Sequence, residues 1–194
     1  MGNVIYGYDG TVAVTLDQII LHSQAVRKGA PNTFIVGDMP FLSYCVSTGD
    51  TVANAGRLYK EANVDAVKME GGRRIVPHVK AVVDAGMVVQ GHIGITPQSV
   101  AAQGGFGAQG RTLEGTLALL DDAEALQEAG ATSIVLEGLP ADSAGVISER
   151  LKIPTISTGA GPHCDAQSLN FMDVLGIYQM FTPKFVKKFA MLGD

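Results

Sequence analysis

DAVKMEGGRRIVPHVKAVVDAGMVVQGHIG, residues 65–94, holds the unit from which the fold of this chain is read. Two short apolar runs, DAVKMEG (65–71) and MVVQGHIG (87–94), flank a segment with helical spacing at 77–85. Pro77 suits a first helical turn and Gly86 suits a C-cap. Strand, helix, strand in so short a span is the unit that builds parallel sheets, because parallel neighbours need a crossover connection.

The same unit recurs on both sides. FIVGD (34–38), TSIVLEG (132–138) and PTISTGAG (154–161) read as further strands, and 15–28, 50–62, 112–129 and 141–151 as helices. Runs this apolar predict strands buried on both faces rather than alternating ones. The less regular MDVLGIY (172–178) reads as a sixth strand, and PKFVKKFA (183–190) as a helix that opens at a proline. The fold class is therefore α/β, a TIM-type (β/α)8 barrel. A closed barrel of that kind takes eight strands and about 250 residues. Here 194 residues supply about six strand-helix units, so the expectation is one incomplete barrel domain over 1–194. No linker, low-complexity tract or charge run divides it.

Composition narrows the partners. The chain is 46% apolar and 17% charged with a net charge of -5, and no basic cluster exceeds Arg73-Arg74 and Lys187-Lys188, so nucleic acid is not an expected partner. Cys45 and Cys164 stand far apart outside any CxxC pattern and read as two unlinked thiols. No run approaches the roughly 20 apolar residues that cross a bilayer. MGNVIYGYDG lacks the basic start and apolar stretch of a secretory signal, and Tyr6 stands where a myristoylation pattern wants Ser or Thr. The expectation is a cytoplasmic protein whose partners are small molecules or like subunits.

In parallel α/β folds, ligands bind at the carboxyl ends of the strands. Polar residues interrupt the apolar runs there: Asp38 closes FIVGD, Lys68 and Glu70 lie in VKMEGG, His92 follows VVQG, and Glu137 closes SIVLE. Alone, each has a structural explanation: a helix cap, a Lys68–Glu70 ion pair on one strand face, or a core histidine bonded to backbone. Five on successive strands point to a site. Hard carboxylate oxygens suit magnesium, which takes few protein ligands, so Asp38 and Glu70 are the expected metal contacts. Lys68 supplies charge for a substrate carboxylate or a developing enolate oxygen, and Glu137 or His92 moves a proton. Zinc is disfavoured, since no His pair or Cys ligands are available. QGGFGAQGR (103–111) lacks the lysine and hydroxyl of a P-loop and reads as a mobile loop over the mouth; TGAG (158–161) reads as an anion-facing segment or a tight turn.

These residues sit in motifs that resemble the ketopantoate hydroxymethyltransferase (3-methyl-2-oxobutanoate hydroxymethyltransferase) family: GYDGTVAVTLDQIILHSQAVRKGAPNTFIVGDMPF (7–41), VKMEGG (67–72), GHIGITPQSV (91–100), GGFGAQGR (104–111), VLEGLPA (135–141), IPTISTGAGPHCDAQ (153–167) and FTPKFVKKFA (181–190). The resemblance spans essentially the whole chain. It implies a magnesium enzyme of pantothenate biosynthesis that adds a one-carbon unit from 5,10-methylenetetrahydrofolate to 3-methyl-2-oxobutanoate (α-ketoisovalerate), giving ketopantoate through a Mg-stabilised enolate. By the same resemblance Asp38 is a metal ligand and a substrate contact, Glu70 reaches the metal through water, Lys68 and His92 bind substrate, and Glu137 is the proton-transfer base. A homo-oligomer is also implied.

Departures from the family pattern accompany the likeness. The glycine of the family's GDSLG motif falls at Gly2, which implies a domain truncated at the N-terminus, lacking two strands and a metal-binding Asp-Ser pair, and shortened at the C-terminus. Met172 stands in a histidine position, Gly107 replaces a lysine, and ISTGAG replaces IGIGAG. Two alternatives follow: a silent truncated relative that binds a keto acid or acts as a subunit, or a magnesium-dependent lyase of the phosphoenolpyruvate mutase and isocitrate lyase type.

Overall fold

The computed structural model describes residues 1–194. A short helix α1 (Gly2–Tyr6) and α2 (Leu16–Gly29) precede the first strand. Then come β1 (Val36–Asp38), α3 (Thr48–Ala62), β2 (Ala66–Glu70), α4 (Val76–Asp84), β3 (Val89–Gly94), α5 (Leu113–Glu128), β4 (Ser133–Glu137), α6 (Ala141–Arg150), β5 (Thr155–Thr158), β6 (Ala166–Gln167) and α7 (Phe171–Val174). Helix starts follow local chemistry. The Thr15 and Gln18 side chains form a reciprocal capping box on α2, and the Ser47 and Thr112 side chains accept the N–H groups of Asp50 and Gly115 at α3 and α5. The α3 end turns at Asn63 in a left-handed conformation (φ 53°). No helix is long and apolar enough to cross a membrane.

All six strands are parallel and lie in sequence order, β1-β2-β3-β4-β5-β6. A doubly wound sheet would reverse its order and take helices on both faces. An unreversed order sends every crossover the same way round, so the helices cover one face and the sheet curls about the other. This is an incomplete TIM-type barrel. Both edge strands are short, three residues in β1 and two in β6.

The strands are two-faced, contrary to the uniformly apolar expectation. Val67, Met69, Val89, Ile93, Ile134 and Leu136 point to the helices and are at most 2% exposed. Each such side chain stabilises the fold by about 1.5–3 kcal/mol through burial. The alternate residues, including Lys68, Glu70, Gln90, His92, Ser133 and Glu137, turn to the concave face.

Two C-terminal expectations fail. Residues 172–178 are not a strand: 171–174 form α7, Gly176 (φ 63°) ends that turn, and β6 lies earlier, where Ala166–Gln167 pairs with β5. Residues 183–190 do not form a helix. Val186 N–H closes a single turn on Pro183 O (3.0 Å), but Phe189 N–H donates to Val174 O (2.8 Å) and Leu192 N–H to Leu175 O (3.0 Å), so the backbone that follows binds across to the α7 turn. Eight residues are too few for a helix to stand without a buried face.

Candidate active site

Strand register assembles the site. Asp38 lies opposite Lys68, Glu70 opposite His92, and Gly94, two residues beyond His92, opposite Glu137. Five polar side chains from β1 to β4 therefore meet on the concave face at the carboxyl ends of the strands. All five residues singled out in the sequence are brought together. Gly94 (φ 93°) is required for the close approach there, since a Cβ on it would lie 2.2 Å from Glu137 O.

Lys68 is the hub. Its Nζ lies 2.9 Å from Asp38 Oδ1, 3.5 Å from Glu70 Oε1 and 3.1 Å from His92 Nδ1. An ammonium only donates, so Nδ1 accepts, and the proton of neutral His92 is on Nε2. Nε2 faces Glu137 Oε2 at 3.2 Å. The result is a chain Asp38–Lys68–His92–Glu137 with Glu70 beneath it. Glu70 and His92 side chains are 4% and 3% exposed, against 46% for Asp38 and 24% for Glu137. Glu70 and His92 thus form a dry floor, and Asp38 and Glu137 a wetter rim.

Burial pulls the Lys68 ammonium toward its neutral form, but Asp38, Glu70 and Glu137 together outweigh it and hold the pKa above the ordinary lysine value. Lys68 is therefore a fixed positive charge and not a base. Three carboxylates against one ammonium leave two formal negative charges around it.

The donor set fits magnesium. Asp38 Oδ1 and His92 Nε2 are buried atoms without an aligned hydrogen-bond partner, despite their short ion-pair distances. An uncommitted lone pair on Asp38, hard oxygens on Asp38 and Glu70, and the excess negative charge fit an ion that takes one or two carboxylates and completes its shell with water and substrate. No three His, Cys, Asp or Glu side chains converge as a closed cage.

Sequence reasoning missed Tyr44 and the role of Gln98. The Tyr44 hydroxyl accepts the Glu70 backbone N–H (3.0 Å) and donates to Gln98 Oε1 (2.9 Å), while the Gln98 backbone N–H donates to Glu70 Oε2 (3.0 Å). Gln98 stands inside GHIGITPQSV, which marked its segment; no pattern marked Tyr44. Burial first, then the Glu70 charge, push the Tyr44 phenol well above its ordinary pKa.

The glycine-rich stretch is tied down more than expected. Gln103 accepts from Thr96 N–H (3.1 Å) and donates to Gly94 O (2.8 Å), and Gln109 N–H donates to Gly138 O (3.1 Å). It borders a cavity of about 530 Å³ beside Arg74, Thr96, Ser99 and Asp122, next to the five-residue cluster rather than over it. TGAG is a tight turn: Ala160 N–H donates to Ser157 Oγ (3.0 Å), and Gly159 has φ 67°. Cys45 and Cys164 are free thiols, as expected.

Comparison with known proteins bears on this arrangement at two levels. Among solved structures, an oxaloacetate acetylhydrolase in complex with 3,3-difluorooxalacetate superposes with a TM-score of 0.63 at 13% identity, over 85% of this chain and 63% of that one. A phosphonopyruvate hydrolase gives 0.55 at 15% identity, over 80% and 55%. At such identities the likeness is one of fold, and this chain spans about half to two thirds of those chains. Sequence reaches further. The 3-methyl-2-oxobutanoate hydroxymethyltransferases of Heliobacterium modesticaldum and Clostridium beijerinckii are 54% and 53% identical to it over 193 and 194 residues, covering 100% of this chain and 70% of each relative. The sequence profile described as Ketopantoate hydroxymethyltransferase matches residues 1–194. Identity at half of all positions, sustained from end to end, is far above what shared architecture alone leaves in the solved structures, and this chain belongs to the ketopantoate hydroxymethyltransferase family.

Proposed function

We propose that this chain carries the site for adding a one-carbon unit from 5,10-methylenetetrahydrofolate to 3-methyl-2-oxobutanoate, giving ketopantoate for pantothenate biosynthesis. The observation that carries the reading is the chain of contacts from Asp38 through Lys68 and His92 to Glu137 on one strand-end face. Asp38 and Glu70 would hold magnesium, which when bound supplies Lewis acidity toward the oxygens of the keto acid.

The remaining chemistry belongs to the side chains. The fixed Lys68 charge attracts the substrate carboxylate and faces the negative charge that develops on the keto oxygen as C3 loses its proton. His92 and Asp38 line the same position as further substrate contacts. Glu137, 3.2 Å from His92 Nε2, takes the C3 proton. Water releases the one-carbon unit from both folate nitrogens at the oxidation level of formaldehyde, and the electron pair left on C3 forms the new bond to that carbon while its oxygen takes a proton and becomes the hydroxyl. The dry floor at Glu70 and His92 strengthens these interactions by lowering the local dielectric.

The test is exchange of the C3 proton of 3-methyl-2-oxobutanoate in deuterated buffer with magnesium and no folate, followed by proton NMR. Loss of the C3 signal above a magnesium-only control is expected. No exchange by folded protein overturns the reading and leaves a silent relative. We also read the chain as a homo-oligomer, supported by apolar side chains left in solvent at Met180, Phe181 and Phe189, which are 86%, 65% and 68% exposed. Sedimentation velocity of the purified chain tests this, and a single monomeric species overturns it.

A further inference from the structure

Beneath the ion-pair cluster, Glu70 is bonded to two polar residues that the proposed chemistry does not use, Tyr44 and Gln98. Tyr44, Glu70 and Gln98 are 4%, 3% and 8% exposed, and every polar contact in the group is made within the protein. Gln98 Nε2 donates to Met39 O (2.9 Å), Gln98 Oε1 accepts from Tyr44, and Tyr44 accepts from the Glu70 backbone. Met39 follows β1, Glu70 ends β2, and Gln98 lies in the 3-10 turn Pro97–Ser99 after β3. The group ties the ends of three strands together.

Its effect falls on one carboxylate. With the Gln98 side chain pinned at both ends, its backbone N–H has one place to be, 3.0 Å from Glu70 Oε2. That oxygen is committed. The other, Oε1, is left facing Lys68 at 3.5 Å and His92 at 3.8 Å. Buried polar groups are costly when unpaired, and a fully paired network selects one geometry. A free Glu70 would turn either oxygen to the site; this one presents a single oxygen.

We propose that Tyr44 and Gln98 are positioning residues that present Glu70 to the site through Oε1 alone, and so set its contact with a divalent cation. The proposal rests on the reading of Glu70 as a metal contact. It adds that this contact depends on a phenol and an amide that touch neither metal nor substrate.

The probe is manganese(II) bound to the full chain without keto acid, read by electron paramagnetic resonance, with Asp38→Asn to confirm which site is observed. Tyr44→Phe keeps the ring and loses only the hydroxyl; Gln98→Met keeps the length and the backbone N–H but frees both ends. Each is expected to weaken manganese binding about 10-fold to 100-fold, the usual effect of removing a group that orients a ligand. In a Glu70→Gln background, Tyr44→Phe is expected to change affinity by less than about twofold, because its effect passes through that carboxylate. Val79→Ala, at a fully buried α4 position remote in role, is expected to lose stability and keep the affinity. Unchanged affinity in both single variants overturns the proposal. So does an equal Tyr44→Phe effect with and without Glu70, which would mark a purely structural brace, and so does absence of manganese binding by the unsubstituted chain. If this pattern of affinities holds while C3 exchange is absent, the positioning role stands and only the assigned activity falls.

Discussion

The two faces of the sheet are built by alternate residues of the same strands, yet different physics holds each. On the helix face, Met69, Ile134 and Leu136 are fully buried among aliphatic side chains, and their contribution is apolar area removed from water. On the concave face, Lys68, Glu70, His92 and Glu137 sit close together with more negative than positive charge. Such a set is a poor stability device, because the desolvation of buried charges offsets most of their attraction. What it offers is preorganised charge at a place where a substrate gains from it. A one-residue slip of register would exchange the two faces, so both are specified by the same register.

Neighbouring residues of β4 give the sharpest way to break this comparison. Glu137→Gln is expected to reduce C3 exchange about 10²-fold to 10⁴-fold, the usual range for loss of a positioned proton-transfer group, while the urea midpoint barely moves. Leu136→Ala, one residue away and facing the helices, is expected to behave in the opposite way. It should lose about 2–5 kcal/mol in urea titration and retain the exchange rate wherever the protein is folded. If the two variants lose stability equally, the faces are not separable.

Lys68→Met tests the claim that charge on the concave face is organised around one cation. Its removal takes from Asp38 and Glu70 the ammonium that both contact. A loss of about 1–3 kcal/mol is expected, less than for a fully buried pair because Asp38 is about half exposed. Magnesium should raise the melting temperature of this variant more than that of the unsubstituted chain, since a cation then replaces the missing ammonium. Equal stabilisation of both proteins would place magnesium elsewhere.

The smallest expected effect is alkaline. The Lys68 and Tyr44 pKa values are both raised in the folded state. Groups of this kind stabilise the fold fully below their unfolded pKa, and that stability is lost as pH rises toward the folded value. Stability should therefore hold from neutral pH to about pH 10 and decline above it, in urea titrations at stepped pH. Tyr44→Phe should flatten part of the decline. A fall that begins near neutral pH would contradict it.

The main helices and the first five strands were legible because their signals are local. Thr15 with Gln18, Pro77 and the apolar runs at 65–71 and 132–138 each act within a few residues of themselves. The two-faced character of the strands was less legible. A composition rich in Val, Ile and Met suits burial on both faces, and only the pairing of β2 with β3 shows that Lys68, Glu70 and His92 share a side. The C-terminal misreadings have the same origin. MDVLGIY and PKFVKKFA have plausible local patterns, but the first opens as the short α7, and beyond one turn at Pro183 the second binds across to the carbonyls of Val174 and Leu175. Tyr44 could not be found at all, since a lone tyrosine in a loop carries no spacing.

By itself, then, the sequence determined the repeating strand-helix order, the family, and which five residues end the strands, all of which depend on short-range pattern or on motif identity. The tertiary structure alone decided which atoms meet. Lys68 and His92 are 24 positions apart and Tyr44 and Gln98 are 54 apart, so each contact exists only after several strands have paired in one register. Hydrogen bonds and buried charges act over a few ångströms, and nothing along the chain measures that distance until it has folded.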